Sequence, residues 1–279
     1  MTDNYGVFGN PVKHSRSPDI HAQFAIQTGQ DISYQRQLVE LGGFRAAADS
    51  FFARGGRGLN ITLPFKVDAY EYAGKLTSRA RRAQAVNTLF RQDSGVILGD
   101  NTDGAGMVRD MVVNLGWALA AKNILILGAG GAVRGVLEPL LEQKPAAVTI
   151  ANRTEAKAVD LANAFADLGV VVGCGFSALA GQQFDVIING TSASLSGDLP
   201  PLPETLVTPA TRCYDMMYGS EPTVFLRWVE TLGAVNRADG LGMLVEQAAE
   251  SFRLWRGVLP NTAAVIAHLR ATLAEEAGQ

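Results

Sequence analysis

The sequence is poor in the groups that bind metals or cross-link chains. Its three histidines, His14, His21 and His268, stand in no HExxH or paired-ligand spacing, so no protein-held metal is expected. Its two cysteines, Cys174 and Cys213, are far apart and form no CxxC pair, which predicts buried thiols of a reducing compartment rather than a disulfide framework. No stretch approaches the ~20 apolar residues of a membrane span. The opening MTDNYGVFGN lacks the basic and apolar regions of a signal peptide, so a cytoplasmic location is expected. Positive charge is not in excess either: a net charge of −3 argues against nucleic-acid or anionic-membrane partners. Charged residues make up only 18% against 47% hydrophobic, which excludes intrinsic disorder, and thirty glycines without a G-X-Y period exclude collagen. A soluble enzyme of small molecules remains. At 279 residues the chain exceeds the usual ~100–150-residue domain, so two domains are expected.

Hydrophobic period gives the organisation. Strand-like runs at Tyr5–Gly9 and Ser33–Val39 alternate with helical spacing at Asp19–Gly29 and Gly43–Arg54, a βαβα opening. Gly58–Leu63 is the next strand, stopped by Pro64. Ala85–Arg91 and Val96–Asp100 flank the turn Gln92-Asp93-Ser94-Gly95 and read as a hairpin, which would bring Asn87 close to Asn101–Asp103. The βαβ pattern restarts near residue 105. Asn123–Leu127 runs into a glycine turn, a helix from about Val133 to Gln143 and a strand at Ala147–Ala151. Further strands at Val170–Gly173, Val186–Asn189 and Arg212–Asp215 fit a parallel doubly wound sheet. Leu241–Trp255 is a helix whose Leu241, Leu244, Val245, Ala248, Phe252 and Trp255 share one face.

Gly128-Ala129-Gly130-Gly131-Ala132 lies between a strand and a helix, where backbone donors and the helix dipole can hold a pyrophosphate. Val133 stands where the third glycine of GxGxxG would be. A P-loop is disfavoured, because Val136 and Leu137 occupy the Lys and Ser/Thr positions. The second strand ends in Asn152-Arg153-Thr154, with Lys157 one turn on, where an NAD-selective fold places an acid against the ribose 2′-hydroxyl. Arg153 suits a 2′-phosphate instead, so NADP is favoured over NAD. The plainer alternative is a helix capped by Thr154 with solvated Arg153 and Lys157.

A second set of polar residues lies upstream. Asn60 and Thr62 share a strand face and Lys66 follows just beyond, while Asp100-Asn101-Thr102-Asp103-Gly104 ends the hairpin in short polar side chains. A Lys66/Asp103 pair could move a proton at an alcohol oxygen. Spacing alone is met more commonly by an exposed lysine and a turn aspartate. Ser15 and Ser17 precede a helix that Pro18 opens, with Ser17 as its cap, a natural carboxylate or phosphate site unless the serines simply cap and solvate. Gln247 sits at the edge of the Leu241–Trp255 stripe near Met243, where it either turns an amide into a cleft or marks a boundary.

With these residues in view, the whole chain resembles the shikimate dehydrogenase family. The resemblance rests on GNPVKHSRSP, NITLPFK, AVNT, GDNTDG, GAGGA, NRT, NGTS, YDMMY and DGLGMLVEQAA, in order from residue 9 to residue 249. It implies NADPH-dependent, reversible reduction of 3-dehydroshikimate to shikimate by an α/β protein of two domains, with the active site in the groove between them. One is a substrate domain formed by residues 1–104 and completed by C-terminal helices within 240–279. The other is a Rossmann-type NADP domain over 105–239. It implies that Lys66 and Asp103 are catalytic, that Ser15, Ser17 and Tyr218 take the substrate carboxylate, and that Thr62, Asn87, Asp103 and Gln247 bond ring hydroxyls while Asn60 orients Lys66. Gly128, Ala129, Gly130, Gly131 and Ala132 would hold the pyrophosphate, and Asn152, Arg153, Thr154 and Lys157 the adenosine phosphate. Asn189, Thr191 and Ser192 would continue the cofactor cleft, and Met216, Gly240 and Met243 would lie near the nicotinamide. The expected assembly is a monomer or homodimer. Rival readings are a quinate/shikimate dehydrogenase that accepts NAD, an NADP-binding regulator without turnover, and an aldehyde-forming reductase needing a cleft thiol.

Overall fold

The structure, a computed structural model, describes residues 2–191 and 198–278. Its packing divides the chain into two units, Met1–Gly106 with Val245–Val265, and Met107–Leu244 with Ile266–Gln279.

The first unit carries β1 (Asp3–Gly9), α1 (Ser17–Thr28), β2 (Ile32–Leu38), α2 (Phe44–Ala53), β3 (Gly56–Ile61), α3 (Lys66–Tyr72), β4 (Lys75–Leu76), α4 (Ser78–Ala83), β5 (Thr88–Arg91) and β6 (Ile97–Asp100). They form one mixed sheet in the order β2-β1-β3-β5-β6-β4, with β5 antiparallel to both β3 and β6. The strand that contains Asn60 ends at Ile61, earlier than the sequence suggests, and the turn before α3 includes a cis Leu63–Pro64 bond. One face of the sheet packs Phe8, Leu59, Ile61 and Leu89 against Phe44, Phe52 and Phe65. On the other lies an aromatic group, with Tyr5 stacked on Trp255 and His21 stacked on Tyr34. Gly58 is a glycine because a Cβ there would sit 2.4 Å from the Trp255 indole nitrogen, which donates to Leu89 O at 3.1 Å.

α5 (Asp103–Arg109) leads into the second unit, where β7 (Asn123–Leu127), α6 (Gly131–Leu141), β8 (Ala147–Asn152), α7 (Glu155–Phe165), β9 (Val171–Gly175), β10 (Val186–Asn189), β11 (Arg212–Asp215), α8 (Val224–Thr231) and β12 (Asn236–Asp239) follow. All six strands are parallel, in the order β12-β11-β10-β7-β8-β9. The order reverses at β7, and ligands of such sheets bind beyond the carboxyl ends of the strands at that reversal. β7 is almost wholly buried, as a strand covered on both faces must be.

Two helices complete the chain, α9 (Leu241–Arg256) and α10 (Ala263–Ala277). The sequence assigns all of 240–279 to the first unit. Packing instead gives it only Val245–Val265, and residues 266–279 join the second unit. Within that segment the Arg270 guanidinium bonds both Asp239 at the end of β12 and Gly219 O.

Candidate active site

Lys66 begins α3 and Asp103 begins α5. The lysine Nζ donates to Asp103 Oδ2 at 2.6 Å, and neither side chain is fully exposed. The hairpin works as the sequence suggests: Thr88 pairs with Asp100, which brings Asn87 Nδ2 to Asp103 Oδ1 at 2.7 Å. The same amide lies 3.3 Å from Gln247 Oε1. α9 can approach this closely because residue 106 is glycine; a Cβ there would meet Gln247 N at 2.5 Å. Lys66, Asp103, Asn87 and Gln247 therefore form one cluster, with Thr62 half-buried at the end of β3.

Asn60 does not belong to that cluster's lysine. Its Oδ1 accepts from Tyr34 Oη at 2.7 Å and faces His21 Nε2 at 3.1 Å, while its Nδ2 donates to Ser251 Oγ at 3.0 Å. With its amide committed to these buried groups, Asn60 braces the sheet rather than orienting Lys66. Burial lowers the His21 imidazole to about 3, so the ring is neutral near pH 7. Sequence reading gives no role to Tyr34 and Ser251, whose bonds to Asn60 join distant parts of the chain.

Ser15 and Ser17 stand together, Oγ to Oγ 3.2 Å. Ser17 is not the cap of α1. Arg16 holds that position without a side-chain capping bond, and the Ser15 hydroxyl accepts the Ser17 N–H at 3.3 Å. The helix thus starts one residue early, and Ser15 takes up a backbone donor at its entrance. Arg36 steadies this turn by donating to Ser15 O through Nε at 2.8 Å and Nη2 at 2.6 Å. Tyr218 is half-buried in the second unit.

The loop carrying Asp103 is anchored by a residue that the sequence does not flag. Asp100, buried, receives Arg79 Nε at 2.7 Å and Thr77 Oγ1 at 2.6 Å, and Arg79 also reaches Glu250 Oε1 at 2.9 Å. Arg79→Ala would leave a buried carboxylate without its cation. The expected loss is about 3–5 kcal/mol of unfolding free energy, read by denaturant titration. A loss below about 1 kcal/mol, the scale of an exposed pair, would refute this anchoring.

In the second unit Gly128, Ala129, Gly130, Gly131 and Ala132 line a cleft of about 730 Å³ together with Asn152, Arg153 and Thr191. Gly128 has φ +102°, a conformation that favours glycine. Gly130 and Gly131 differ in kind: a Cβ at either would meet nothing within 4 Å, so both leave open space at the start of α6. That is the cradle a pyrophosphate needs, with backbone donors bare of side chains. Val133, the departure from GxGxxG, is buried against Gly190, where an added Cβ would come within 2.4 Å of Val133 Cγ2. The missing glycine has been exchanged across the contact for one on the facing segment.

Thr154 occupies the N-cap of α7 without a side-chain cap, so the plain capping reading is not what its hydroxyl does; Asn152 Nδ2 instead donates to Thr154 O at 2.9 Å. Arg153, Thr154 and Lys157 are exposed. Asn189 Oδ1 accepts from Thr191 N and Oγ1 and shapes the turn after β10. Met216 packs against the core that contains Met243, and its Sδ would lie 3.1 Å from a Cβ on Gly190. Gly240 must be glycine, since its Cβ would fall 2.3 Å from Met216 O. Ser192 lies outside the described residues. Cys174 and Cys213 are buried free thiols of the second unit, and burial pushes Cys213 up to about 12. Among the described residues, no three His, Cys, Asp or Glu side chains gather as a metal site, and no helix is long and apolar enough to cross a membrane.

Comparison with known proteins agrees along the length of the chain. Residues 7–89 match the family model of the shikimate dehydrogenase substrate binding domain, residues 111–196 that of shikimate/quinate 5-dehydrogenase, and residues 240–270 that of the shikimate 5′-dehydrogenase C-terminal domain. Shikimate dehydrogenase (NADP(+)) of Cellvibrio japonicus is 60% identical over 276 residues, covering 99% of this chain and 100% of that protein. An Ael1 enzyme from Pseudomonas putida superposes with a TM-score of 0.93 at 46% identity over 96% of this chain and 98% of the other. Shikimate 5-dehydrogenase from Thermus thermophilus, solved with NADP(H) and shikimate, does so at 0.85 with 32% identity over 98% and 100%. Three family models in sequence order and a relative 60% identical from end to end show that the chain belongs to the shikimate dehydrogenase family.

Proposed function

We propose that the protein catalyses the reversible, NADPH-dependent reduction of the 3-dehydroshikimate ketone to the shikimate alcohol, with Lys66 as the proton-transfer group. The observation that carries this reading is the 2.6 Å bond between the Lys66 ammonium and Asp103, whose second oxygen is held by Asn87. In this reading the proton for the substrate oxygen comes from the Lys66 ammonium in reduction and returns to the amine in oxidation. Asp103 steers that amine and, with Thr62, Asn87 and Gln247, bonds the ring hydroxyls. Ser15 and Ser17 take the carboxylate at the start of α1, joined by Tyr218. A site built to pair each of these groups rejects analogues that lack one.

NADPH fits the open cradle at Gly130 and Gly131, and when bound it supplies the hydride. Gly128–Ala132 hold its pyrophosphate, Asn152, Arg153, Thr154 and Lys157 its 2′-phosphate, and Asn189 and Thr191 flank the cleft. Met216, Gly240 and Met243 serve the nicotinamide end. At the end of β8, where an NAD-selective fold sets an acid against the 2′-hydroxyl, the chain has Asn152, Arg153 and Thr154, and the next acid, Glu155, stands in the first turn of α7 near Gly175. Buried free thiols accord with a reducing, cytoplasmic setting.

The test follows nicotinamide absorbance with shikimate or quinate and NADP or NAD. Shikimate with NADP is expected to give the highest kcat/KM. Quinate turning over as well as shikimate would instead make this a broad quinate/shikimate dehydrogenase. No reaction in any of the four mixtures would point to a binding protein without turnover.

A further inference from the structure

We propose that Thr88, with Ser251 behind it, is a positioning residue for the reaction. It fixes which way the Asn87 amide faces and so holds the carboxylate that grips Lys66. The inference rests on the assignment of Lys66 and Asp103 above.

The two ends of an amide have nearly the same shape, so the surrounding donors decide its orientation. The Thr102 backbone N–H can only donate, and it reaches Asn87 Oδ1 at 2.9 Å. The Thr88 hydroxyl donates to the same oxygen at 2.8 Å. Together they leave Nδ2 turned toward Asp103. The reversed amide would set its oxygen against a carboxylate and strand the buried Thr102 N–H, which is costly, and Thr102 Oγ1 also reaches the present oxygen at 3.1 Å.

Thr88 is placed by two buried neighbours, one of which, Asn60, donates to it. Its hydroxyl lies 2.7 Å from Ser251 Oγ, and Asn60 Nδ2 reaches it at 3.3 Å. Asn60 is itself oriented, since Tyr34 and His21 occupy its oxygen. Tyr34 and His21 thus face the Asn60 oxygen, the Asn60 amide donates to both Thr88 and Ser251, and Thr88 donates to Asn87, whose amide reaches Asp103, while the Ser251 hydroxyl also donates to Gln247 O at 3.0 Å. Thr88 and Ser251 are both 0% exposed, so water does not compete for these bonds.

The test compares full-length Thr88→Val, Thr88→Ser, Ser251→Ala and Lys66→Ala by steady-state kinetics, with melting curves to establish folding. Valine keeps the shape of threonine and loses only the hydroxyl. Thr88→Val is expected to lower kcat about tenfold or more while KM for shikimate moves by less than about threefold, because a misplaced carboxylate and amine harm the chemical step most. Thr88→Ser restores the donor and is expected within about twofold of the parent kcat, and Ser251→Ala lowers kcat in the same direction by a smaller factor. A folded Thr88→Val with parental kcat would overturn the proposal, as would Thr88→Ser failing to rescue. Should Thr88→Val not fold, a parental kcat for Ser251→Ala overturns it. Lys66→Ala with parental turnover overturns the assignment of Lys66 instead.

Discussion

Replacing Lys66 with alanine is expected to lower kcat by about 10²–10⁴-fold, the usual contribution of a positioned acid–base group. KM for shikimate should change by less than about threefold, since uniform binding and transition-state stabilisation are separable in these two constants. The physical reason is local. The amine is held at Asp103 Oδ2, while Asn87 Nδ2 keeps its own bond to Oδ1, and Ser15 and Ser17 lie on a different element. Removing the amine takes away the proton carrier and leaves the groups that would bind carboxylate and hydroxyls in place. A variant that turned over at near the parental rate would remove Lys66 from the chemistry. One whose loss lay wholly in KM would make it a binding residue.

Arg153→Ala is expected to weaken NADPH by about 10–100-fold, the loss of one charge-assisted hydrogen bond of about 1.5–3 kcal/mol, and to leave NADH nearly unchanged. Arg153 lines the cleft and is exposed, so its loss disturbs no core. Dissociation constants from the fluorescence of the bound reduced nucleotides would measure both. Equal weakening of the two nucleotides would contradict a role at the 2′-phosphate, whichever way activity moved.

Much of this site is legible without coordinates because its parts are short, local patterns. A two-stranded hairpin closes by geometry, so Asn87 has to return beside Asp103. A glycine turn between a buried strand and a helix can be read from residues 123 to 133 alone. The residues that escape such reading depend on distant packing. β12, Asn236–Asp239, is a polar edge strand with no apolar run to announce it. Ser251 looks like an ordinary polar residue on a helix until α9 lies against β5, and Asn60 looks available for Lys66 until Tyr34 and His21 take its oxygen. The bond from Arg270 to Asp239 is a pairing that helical period cannot express either. Val133 reads as a weakness of the glycine motif because its compensation, Gly190, lies on another strand's exit.

The discontinuous first unit has a consequence for biosynthesis. Trp255, which covers Gly58, and Ser251, which meets Thr88, belong to a segment made after nearly the whole second unit. At translation speeds of about 5–20 residues per second, the nascent first hundred residues wait roughly ten seconds or more for them. During that interval the aromatic face of the sheet lacks its lid and the polar side chains beneath it lack a partner. A ribosome stalled near residue 110 should therefore hold an amino-terminal segment that chaperones or proteases can engage, and release of the completed polypeptide should end that exposure.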